Sequence, residues 1–299
     1  MRMIWAVGVF AAIWATAAAG QTTQTVEQSK FVIGRLEHPP IAESSGIIAS
    51  RRYPGVYWTH NDSGNPAVIF AVDREGKLLA EVPIMGRNPD WEDIAVDDAG
   101  HLYIADIGNN GGRRRQVQVL QIDEPDPANP PDQPVKPKRI WQLTYPAEPF
   151  DSEAFFVHDG YGYLLSKFGQ IAFGNVKPAP TARLAMYRFP LTDDADTHVL
   201  EHVVDLPNGV PITAADLSAD AQWLLVQTVT GPQVYHVKGD LAAINEAPVY
   251  TAWYFDLSME AGCFVKEGVL ATSESRDVLL FTWQQLGLTK KGNPPGQGE

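Results

Sequence analysis

Short stretches of alternating hydrophobic and polar residues are the main pattern along this chain. The clearest one runs from position 90 to position 110, where two alternating runs flank an Asp-Asp-Ala-Gly turn. Alternation with a period of two on both sides of a tight turn predicts an antiparallel β-hairpin. Because paired strands run in opposite directions, Glu92 near the start of the first strand and Asp106 at the end of the second are expected at the same edge.

This hairpin pattern recurs along the chain, which is typical of a repeat architecture. Further copies occupy positions 42–62, 150–167, 212–228 and 259–274. Three copies share one sequence separation between the leading glutamate and the end of the second strand: Glu92 and Asp106, Glu153 and Lys167, Glu260 and Glu274. In the copy at 212–228, Ala215 stands in place of the glutamate, and the copy at 42–62 has a longer turn.

Each of the first four hairpins is followed by two more strand-like segments. These outer segments are 67–73 and 78–84, 116–122 and 139–145, 184–189 and 199–206, 233–237 and 249–255. The fifth hairpin is followed by only one, at 278–283, whereas a strand pattern at 31–37 precedes the first hairpin and has no partner. We therefore expect the N-terminal strand to complete the fifth sheet.

The pattern predicts an all-β fold, a single β-propeller of five four-stranded antiparallel blades whose ring is closed by the N-terminal strand. Closure of this kind removes exposed sheet edges. The long loops 124–138 and 170–181 are too short and too rich in proline to form another blade. A β-sandwich is the competing all-β interpretation, but it does not explain the constant hairpin spacing or the matching unpaired ends.

The composition agrees with a large core held by aromatic packing. The chain has 299 residues, of which 44% are hydrophobic and 10% aromatic, and it has one cysteine. Cys263 lies in an apolar strand pattern, where a buried thiol is expected rather than a nucleophile. Disulfide bonds therefore have no part in the predicted fold.

The N-terminus has the features of a secretory signal peptide at residues 1–20. Arg2 precedes an apolar run that ends in small residues at 17–19, and no later segment is long enough to span a bilayer. A retained N-terminal anchor is the alternative. We expect a polar leader at 21–30, the propeller at 31–286, a disordered tail at 287–299, and a monomeric secreted or periplasmic protein without a stable membrane span after signal removal.

The charge balance restricts the partners that this protein can bind. The formal net charge is −13, which argues against nucleic acid or an anionic membrane as the main partner. Cations suit this surface better. Solubility alone is the other explanation for an acidic exported protein.

If the first strand of each repeat lines the central channel, the leading glutamates form a ring at one mouth. The candidate metal ligands are Glu43, Glu92, Glu153 and Glu260, with Asp62, Asp106 and Asn109 in an outer layer. Asp90 and Asp151 flank this ring. Converging carboxylates repel one another unless they take up protons or a cation, and hard oxygen ligands suit Ca²⁺ best. Alternatively, each glutamate accepts backbone N–H groups and fastens neighbouring blades.

Further polar residues are expected at the same mouth and are candidates for binding a small molecule or a protein. They are His60, Asn61, Asp93, Asn110, Arg113, Lys167, Asp216 and Glu274. Turn formation is the alternative for the Asx-rich loops, and Lys167 can serve to neutralise the acidic ring. The sequence contains no nucleophile elbow, phosphate-binding glycine loop or dinucleotide fingerprint.

Four motifs together resemble a family of exported bacterial propeller proteins of poorly defined function. They are Glu-Ser-Ser-Gly at 43–46, His-Asn-Asp-Ser-Gly at 60–64, Asp-Trp-Glu-Asp at 90–93 and Ala-Asp-Ile-Gly-Asn-Asn at 105–110. More distantly, the pattern is similar to phytase-related esterase-like propellers and gluconolactonase-like propellers. The resemblance implies calcium and hydrolysis of esters or phosphoesters, and because these relatives commonly have six blades, six is the alternative to five.

Three functions follow from these observations. The first is an exported binding module with a calcium site at one mouth of the channel. The second is a metal-dependent hydrolase of esters or phosphoesters, and the third is an interaction scaffold. A metal pocket open to water favours the enzyme, whereas carboxylates satisfied by backbone amides and Lys167 favour the scaffold.

Overall fold

The computed structural model describes residues 30–167, 184–191, 195–207 and 209–288 of the protein. Within these ranges the secondary structure consists of 21 β-strands and one short 3₁₀ helix at Leu241–Glu246. The predicted signal peptide, the leader except Lys30, and the tail beyond residue 288 lie outside the described residues. The strands form five separate sheets, so the predicted five-bladed propeller is confirmed.

The strand bounds follow the sequence pattern closely. The N-terminal strand and blade 1 comprise β1 Val32–Arg35, β2 Ser44–Ala49, β3 Tyr57–Asn61, β4 Val68–Val72 and β5 Leu78–Pro83. Blade 2 contains β6 Asp93–Val96, β7 His101–Asp106, β8 Gln116–Asp123 and β9 Arg139–Thr144. Blade 3 contains β10 Ser152–His158, β11 Tyr161–Ser166, β12 Ala185–Pro190 and, after β13 Thr197–Val199, β14 Glu201–Asp205.

The last two blades complete the ring. Blade 4 contains β15 Ile212–Leu217, β16 Trp223–Thr228, β17 Gly231–His236 and β18 Val249–Thr251. Blade 5 contains β19 Met259–Val265, β20 Gly268–Ser273 and β21 Asp277–Thr282. In every blade the predicted hairpin supplies the two innermost strands, and all neighbouring strands within these four-stranded sets pair antiparallel.

The N-terminal strand closes the ring as predicted. Strand β1 pairs antiparallel with β21, with Val32 opposite Leu279 and Arg35 opposite Asp277. The residue before β1 also contributes, because the Phe31 ring lies 4.7 Å from the Phe281 ring. The first and last segments of the propeller therefore belong to one sheet, and the edge of β21 is covered.

Blade 2 differs from the predicted four strands. Strand β13 leaves blade 3 and pairs parallel with β9 on the outer edge of blade 2, with His198 opposite Leu143. The predicted strand at 199–206 corresponds to β14, and only its first residue, Val199, belongs to β13. Three residues are too few for a periodic pattern, so the sequence alone could not separate β13 from β14.

The core lies between neighbouring blades. One buried cluster joins blades 1, 2 and 5, and three more join the successive pairs of blades 2 to 5. The tryptophans Trp58, Trp91 and Trp141 are fully buried, and Cys263 is a buried free thiol as expected. Packing of large aromatic side chains between blades therefore holds the ring together. Among the described residues, no helix is long and apolar enough to cross a lipid bilayer.

Candidate functional site at the acidic mouth

Near its start, the innermost strand of each blade has one residue that lies at the mouth of the channel. In four blades the pairing between the two inner strands shifts by one residue at this point, which is a β-bulge. The bulged residues are Ser45, Glu153, Thr213 and Glu260. Glu92 holds the equivalent place in blade 2, directly before the paired residues Asp93 and Ala105. These five residues are called the ring.

The register corrects two expected equivalences. Glu43 is not equivalent to Glu92, because Ser45 holds the ring position in blade 1. Likewise, Thr213 rather than Ala215 marks blade 4. The hairpins differ in length, since Gly46 pairs with His60 in blade 1 and Ala154 pairs with Leu165 in blade 3, so a fixed spacing from the second strand does not locate the ring residue. The ring positions of blades 1 and 2 are neighbours in space, since Ser45 Oγ lies 3.4 Å from Glu92 Oε2.

A second layer of residues lies one step outside the ring. In each blade, a backbone N–H after the second strand donates to the carbonyl two residues before the ring residue. These pairs are Asp62 to Glu43, Gly108 to Asp90, Lys167 to Asp151, Val229 to Pro211 and Glu274 to Ser258. Lys167 is therefore equivalent to Asp62 and Glu274, and not to Asp106 as the sequence spacing suggests. Glu43 belongs with Asp90 and Asp151, which makes this layer strongly acidic.

Three carboxylates from blades 1 and 2 come close together in these layers. One oxygen each from Asp62, Asp90 and Glu92 lie within 4.8 Å of one another. A side chain at Gly108 would overlap the carboxyl groups of both Asp90 and Glu92, so the absence of a Cβ there makes room for this cluster. Asp62, Asp90 and Glu92 are called the carboxylate triad.

Glu92 is the deepest member of the triad. It is 4% exposed, and its Oε1 is buried with no hydrogen-bond partner among the described residues. Burial raises the pKa of Glu92 well above its usual value, and the nearby charges of Asp62, Asp151 and Asp90 raise it further. Burial and the charge of Asp62 also raise the pKa of Asp90. A buried carboxylate without a partner is costly, so the triad is suited to a proton or a cation.

Two cationic side chains lie near the triad, but among the described residues neither forms an ion pair with Glu92. Lys167 forms an ion pair with the buried Glu153. The Arg114 guanidinium lies 2.8 Å from Asp106 Oδ1 and 4.0 Å from Asp90 Oδ2. Lys167 and Arg114 each have a closer partner outside the triad, and the local balance therefore remains negative.

Glu260 and Glu274 form the blade 5 side of the mouth. Burial raises the pKa of Glu260 to about 7, while Lys167 lowers it and Glu274 raises it. Burial and the charge of Glu43 raise the pKa of Glu274. The charges of Asp62 and Lys167 act on both glutamates, so the mouth behaves as one electrostatic unit.

Asp106 and Asn109 lie near the triad, but their polar groups are engaged elsewhere. Asp106 Oδ2 accepts a hydrogen bond of 2.7 Å from Gln118 Nε2, and its other oxygen faces Arg114. Asn109 Nδ2 donates to the carbonyl of Arg114 and to the Tyr145 hydroxyl at 3.1 Å each, while Asn109 Oδ1 accepts the Arg114 N–H. Both residues hold the loop that follows β7.

His60 and Asn61 are also buried within the framework. His60 packs edge-on against Trp91, with the ring centroids 5.6 Å apart, and burial lowers its pKa. Its Nε2 faces Gly46, where a side chain would collide with it. Asn61 ties the start of blade 1, because its Oδ1 accepts the Glu43 N–H and its Nδ2 donates to the Pro40 carbonyl.

Asp93 and Asp216 lie deeper along the inner strands and join blades. Asp93 Oδ2 accepts backbone N–H groups of Phe155 at 2.8 Å and Ala215 at 3.1 Å. Asp216 Oδ2 accepts the Phe264 N–H at 2.8 Å. Asp93 and Asp216 thus accept backbone N–H groups from other blades. This is the structural role that the sequence analysis offered as the alternative to metal binding.

Asn110 and Arg113 occupy the exposed part of the loop between β7 and β8. Three arginines follow one another at 113–115, and Arg114 is the one that forms an ion pair with Asp106.

The triad includes Asp90, which the sequence analysis placed beside the ring and did not name as a metal ligand. Its position two residues before Glu92 could have suggested this role. The sequence could not show that Asp62, from another blade, lies next to both.

The triad fits a hard divalent cation. Oxygen atoms bound to one Ca²⁺ at about 2.3–2.6 Å lie at most about twice that distance apart, and one oxygen from each triad residue lies within 4.8 Å of the others. The donor atoms are carboxylate oxygens, and Glu92 also has an oxygen, Oε1, without a hydrogen-bond partner among the described residues. Because Ca²⁺ takes six to eight oxygen ligands, positions would remain for water or a bound ligand.

Comparisons with known proteins do not assign this chain to a family. No protein-family model matches the chain, and no curated protein matches it. Among solved structures, the chain is similar to Kuenenia stuttgartiensis hydrazine synthase at 14% identity and a TM-score of 0.42, covering 78% of this chain and 56% of that one. The match thus spans little more than half the length of that chain.

Two further structures have comparable similarity. A chain of the nidogen/laminin complex is 10% identical with a TM-score of 0.46, and the match covers 80% of this chain and 74% of that one. The β-propeller domain of Cps50 (Swd1) from Myceliophteria thermophila is 11% identical with a TM-score of 0.40, covering 83% and 66%.

Proposed function

We propose that this propeller is a binding module whose acidic mouth holds a Ca²⁺ ion between Asp62, Asp90 and Glu92. The observation that carries the proposal is the buried Glu92 Oε1, which has no hydrogen-bond partner among the described residues and belongs to a triad whose ligand oxygens lie within 4.8 Å of one another. A cation there removes the repulsion among three carboxylates. The ligand, a small molecule or a protein, then binds at the same mouth.

The donor set favours calcium over other common ions. Zinc prefers cysteine and histidine, and His60, the histidine nearest this mouth, is buried against Trp91. Magnesium requires a nearly ideal octahedron at about 2.0–2.1 Å, which three carboxylates on two blades do not impose. Calcium accepts irregular oxygen cages with more ligands.

Calorimetric titration of the chelator-treated protein with CaCl₂, MgCl₂ and ZnCl₂ tests this proposal. We expect one calcium site, and a loss of at least tenfold in affinity for Glu92→Gln, which keeps the shape of the side chain but removes its charge. Glu124→Gln is the matched control, because Glu124 is equally buried and also has an unpartnered oxygen, but it lies outside the triad and accepts a hydrogen bond of 2.8 Å from Trp58 Nε1. Equal calcium affinity in the three proteins, or no binding to wild type, would refute the site.

Hydrolysis of esters or phosphoesters is the second candidate function. The observation that favours it is Glu260, a ring residue whose pKa is raised to about 7 by burial. A carboxyl group that titrates near neutral pH can both accept and donate a proton, as general acid–base catalysis requires. A bound cation would supply polarisation of the substrate oxygen, and Glu260 would hold the proton on the blade 5 side.

Hydrolysis can be measured with p-nitrophenyl acetate and p-nitrophenyl phosphate, with calcium or with chelator. The hydrolase hypothesis expects turnover that chelator abolishes, and a loss of about 10²-fold or more in Glu260→Gln, the usual contribution of a general acid or base. Activity that is unchanged by chelator and by this substitution would exclude Glu260 as the catalytic group. Calcium binding without turnover would leave the binding module as the function.

We also propose that the mature protein is exported to the periplasm or secreted. The charged start, the short apolar run and the small residues at 17–19 support this proposal. Exported compartments also provide the calcium concentrations that a site of modest affinity needs. Mass spectrometry of the mature N-terminus decides the question: a chain starting near Gln21 supports export with cleavage, and a chain that retains Met1 contradicts it.

A further inference from the structure

The segment 249–257 places a row of large apolar side chains in solvent. From Val249 to Leu257 the exposure alternates with every residue, as expected of an extended chain with one face packed against the protein. The exposed apolar residues are Val249, Trp253, Phe255 and Leu257. We call these four residues the apolar stripe. Its centre is Trp253, whose surface is 71% exposed.

The other face of the segment is firmly packed, so the stripe is held in place. Tyr254 contacts Phe31 and Phe281, with ring centroids 5.7 Å from each. The backbone is fixed as well, because the N–H of Tyr254 donates to Thr230 and that of Asp256 to Val229. The exposure of Trp253 is therefore a property of the packed propeller.

The stripe continues from an open sheet edge. Strand β18 is the outermost strand of blade 4 and pairs with β17. Among the described strands, no strand pairs with the outer side of β18, whereas the corresponding edge of blade 2 is covered by β13. Soluble proteins usually protect such edges with charges or prolines, and an exposed apolar edge marks an interaction site.

The stripe ends beside the acidic mouth. Asp256 lies between Phe255 and Leu257, and its carboxylate accepts a hydrogen bond of 2.7 Å from Ser258 Oγ. The carbonyl of Ser258 in turn accepts the backbone N–H of Glu274 at 2.8 Å. Residues 249–258 contain no lysine or arginine. A partner that covers the stripe therefore meets negative charge at one end.

We propose that the apolar stripe binds an extended segment of a partner protein in which large apolar residues are followed by lysine or arginine. The apolar side chains would cover Trp253, Phe255 and Leu257, and the basic end would face Asp256 and Glu274. The backbone of the segment could pair with β18, which is a common mode of peptide recognition. Aromatic side chains of this kind dominate the energetics of many interfaces.

Two other occupants fit less well. A second copy of this chain would bring a second acidic mouth against the first in a two-fold dimer, with a net charge of −13 on each copy. An anionic bilayer would be repelled in the same way, since membrane-binding surfaces carry lysine and arginine beside their apolar residues. The charge around the stripe thus selects a basic polypeptide.

Binding of labelled synthetic peptides to the folded protein, followed by fluorescence anisotropy, tests the proposal. One peptide alternates valine or leucine with threonine and ends in three lysines, and the other ends in three glutamates. We expect the basic peptide to bind at least tenfold more tightly than the acidic one, with an affinity that falls as salt increases. Equal affinities, or no binding of the basic peptide up to 1 mM, would overturn the proposal.

Substitutions locate the peptide on the surface. The double variant Trp253→Ala with Leu257→Ser should weaken basic-peptide binding at least tenfold while its melting curve stays the same, because both side chains are exposed. Val199→Ser is the matched control, since Val199 is 60% exposed on the strand that covers blade 2. Unchanged binding in the double variant would contradict the stripe. Self-association, or binding to anionic vesicles, that disappears in this variant would contradict the choice of occupant.

The proposed peptide site and the proposed calcium site can be tested separately. Glu92→Gln should lose calcium and keep the peptide, whereas the double variant should keep calcium and lose the peptide. The same titrations performed with calcium and with chelator separate the two properties. Peptide binding that disappears in Glu92→Gln as well would overturn the separate stripe.

Discussion

The Oδ2 atom of Asp93 in blade 2 lies 3.1 Å from the backbone nitrogen of Ala215 in blade 4, although the two residues are 122 positions apart. The same oxygen accepts the N–H of Phe155 in blade 3 at 2.8 Å. Asp93 is 1% exposed. One buried carboxylate therefore connects the inner strands of three blades.

Asp93→Ala should strongly destabilise the propeller. The substitution leaves the buried N–H groups of Phe155 and Ala215 without an acceptor, and each such group costs about 1–3 kcal/mol. We expect a loss of roughly 2–6 kcal/mol in the free energy of unfolding, measured by urea denaturation. Asp98→Ala, which removes an exposed carboxylate paired with Arg51, should change stability by less than about 1 kcal/mol. Equal effects would show that the cross-blade bonds contribute little.

Removal of the N-terminal strand should open the ring. A chain that starts at residue 38 lacks β1 and Phe31, so β21 loses its partner and the aromatic contact with Phe281 is absent. We expect aggregation or a broad, non-cooperative melting curve, because an unpaired edge is exposed. A chain that starts at residue 30 keeps both contacts and should melt like the mature protein. Identical melting of the two truncated chains would show that closure does not depend on β1.

Lys167→Met should increase the affinity of the mouth for calcium. The ammonium group lowers the pKa of Glu92 and of Glu260 through its charge, and the same charge repels a cation. We expect the dissociation constant for Ca²⁺ to fall on the order of tenfold, which corresponds to about 1.4 kcal/mol. Lys138→Met is the control, because Lys138 pairs with Asp123 at 2.6 Å outside the mouth. A lower calcium affinity in Lys167→Met would exclude Lys167 as a competing cation.

Asp216 should give the fold a measurable pH dependence. Burial raises its pKa from 3.8 to about 6, while the Phe264 N–H and Arg51 act in the opposite direction. Between pH 3.8 and 6 the folded protein keeps a proton that the unfolded chain has lost, so the free energy of unfolding falls as the pH rises through this window. The slope from one such group is at most about 1.4 kcal/mol per pH unit.

Asp216→Asn isolates this effect, because an amide oxygen can still accept the Phe264 N–H. Thermal melts of both proteins in chelator between pH 4 and 7 should show that the wild type loses more stability than the variant as the pH rises. Acidic residues of the mouth titrate in both proteins, so the difference between the two curves reports Asp216. Parallel curves would show that the pKa of Asp216 is the same in the folded and unfolded states.

Calcium should stabilise the protein through the triad. If Ca²⁺ binds only the folded state, a 100-fold excess over the dissociation constant adds about 2.7 kcal/mol to the free energy of unfolding. Glu92→Gln should lose most of this gain while Glu124→Gln retains it. The measurement is the shift in the urea midpoint on adding calcium. Equal shifts in Glu92→Gln and wild type would show that calcium acts outside the triad.

The sequence alone determined the architecture, because its determinants are local. Alternation around tight turns specifies each hairpin, and the recurrence of that hairpin with an unpaired strand at each end specifies five blades and the closing pair. Glu92, Glu153 and Glu260 could be assigned to one ring because each follows the same hairpin pattern. Strand β13 could not be predicted in this way, because three residues are too few to show a periodic pattern.

Only the tertiary structure decided the composition of the mouth. Ser45 and Thr213 hold the bulged ring positions of blades 1 and 4, and Glu43 lies outside the ring, two residues before Ser45. Asp62 joins Asp90 and Glu92 across two blades, while Asp93 turns toward backbone N–H groups that other blades supply. Distances between residues of different blades depend on how whole sheets pack, so they cannot be deduced from the separation of these residues along the sequence.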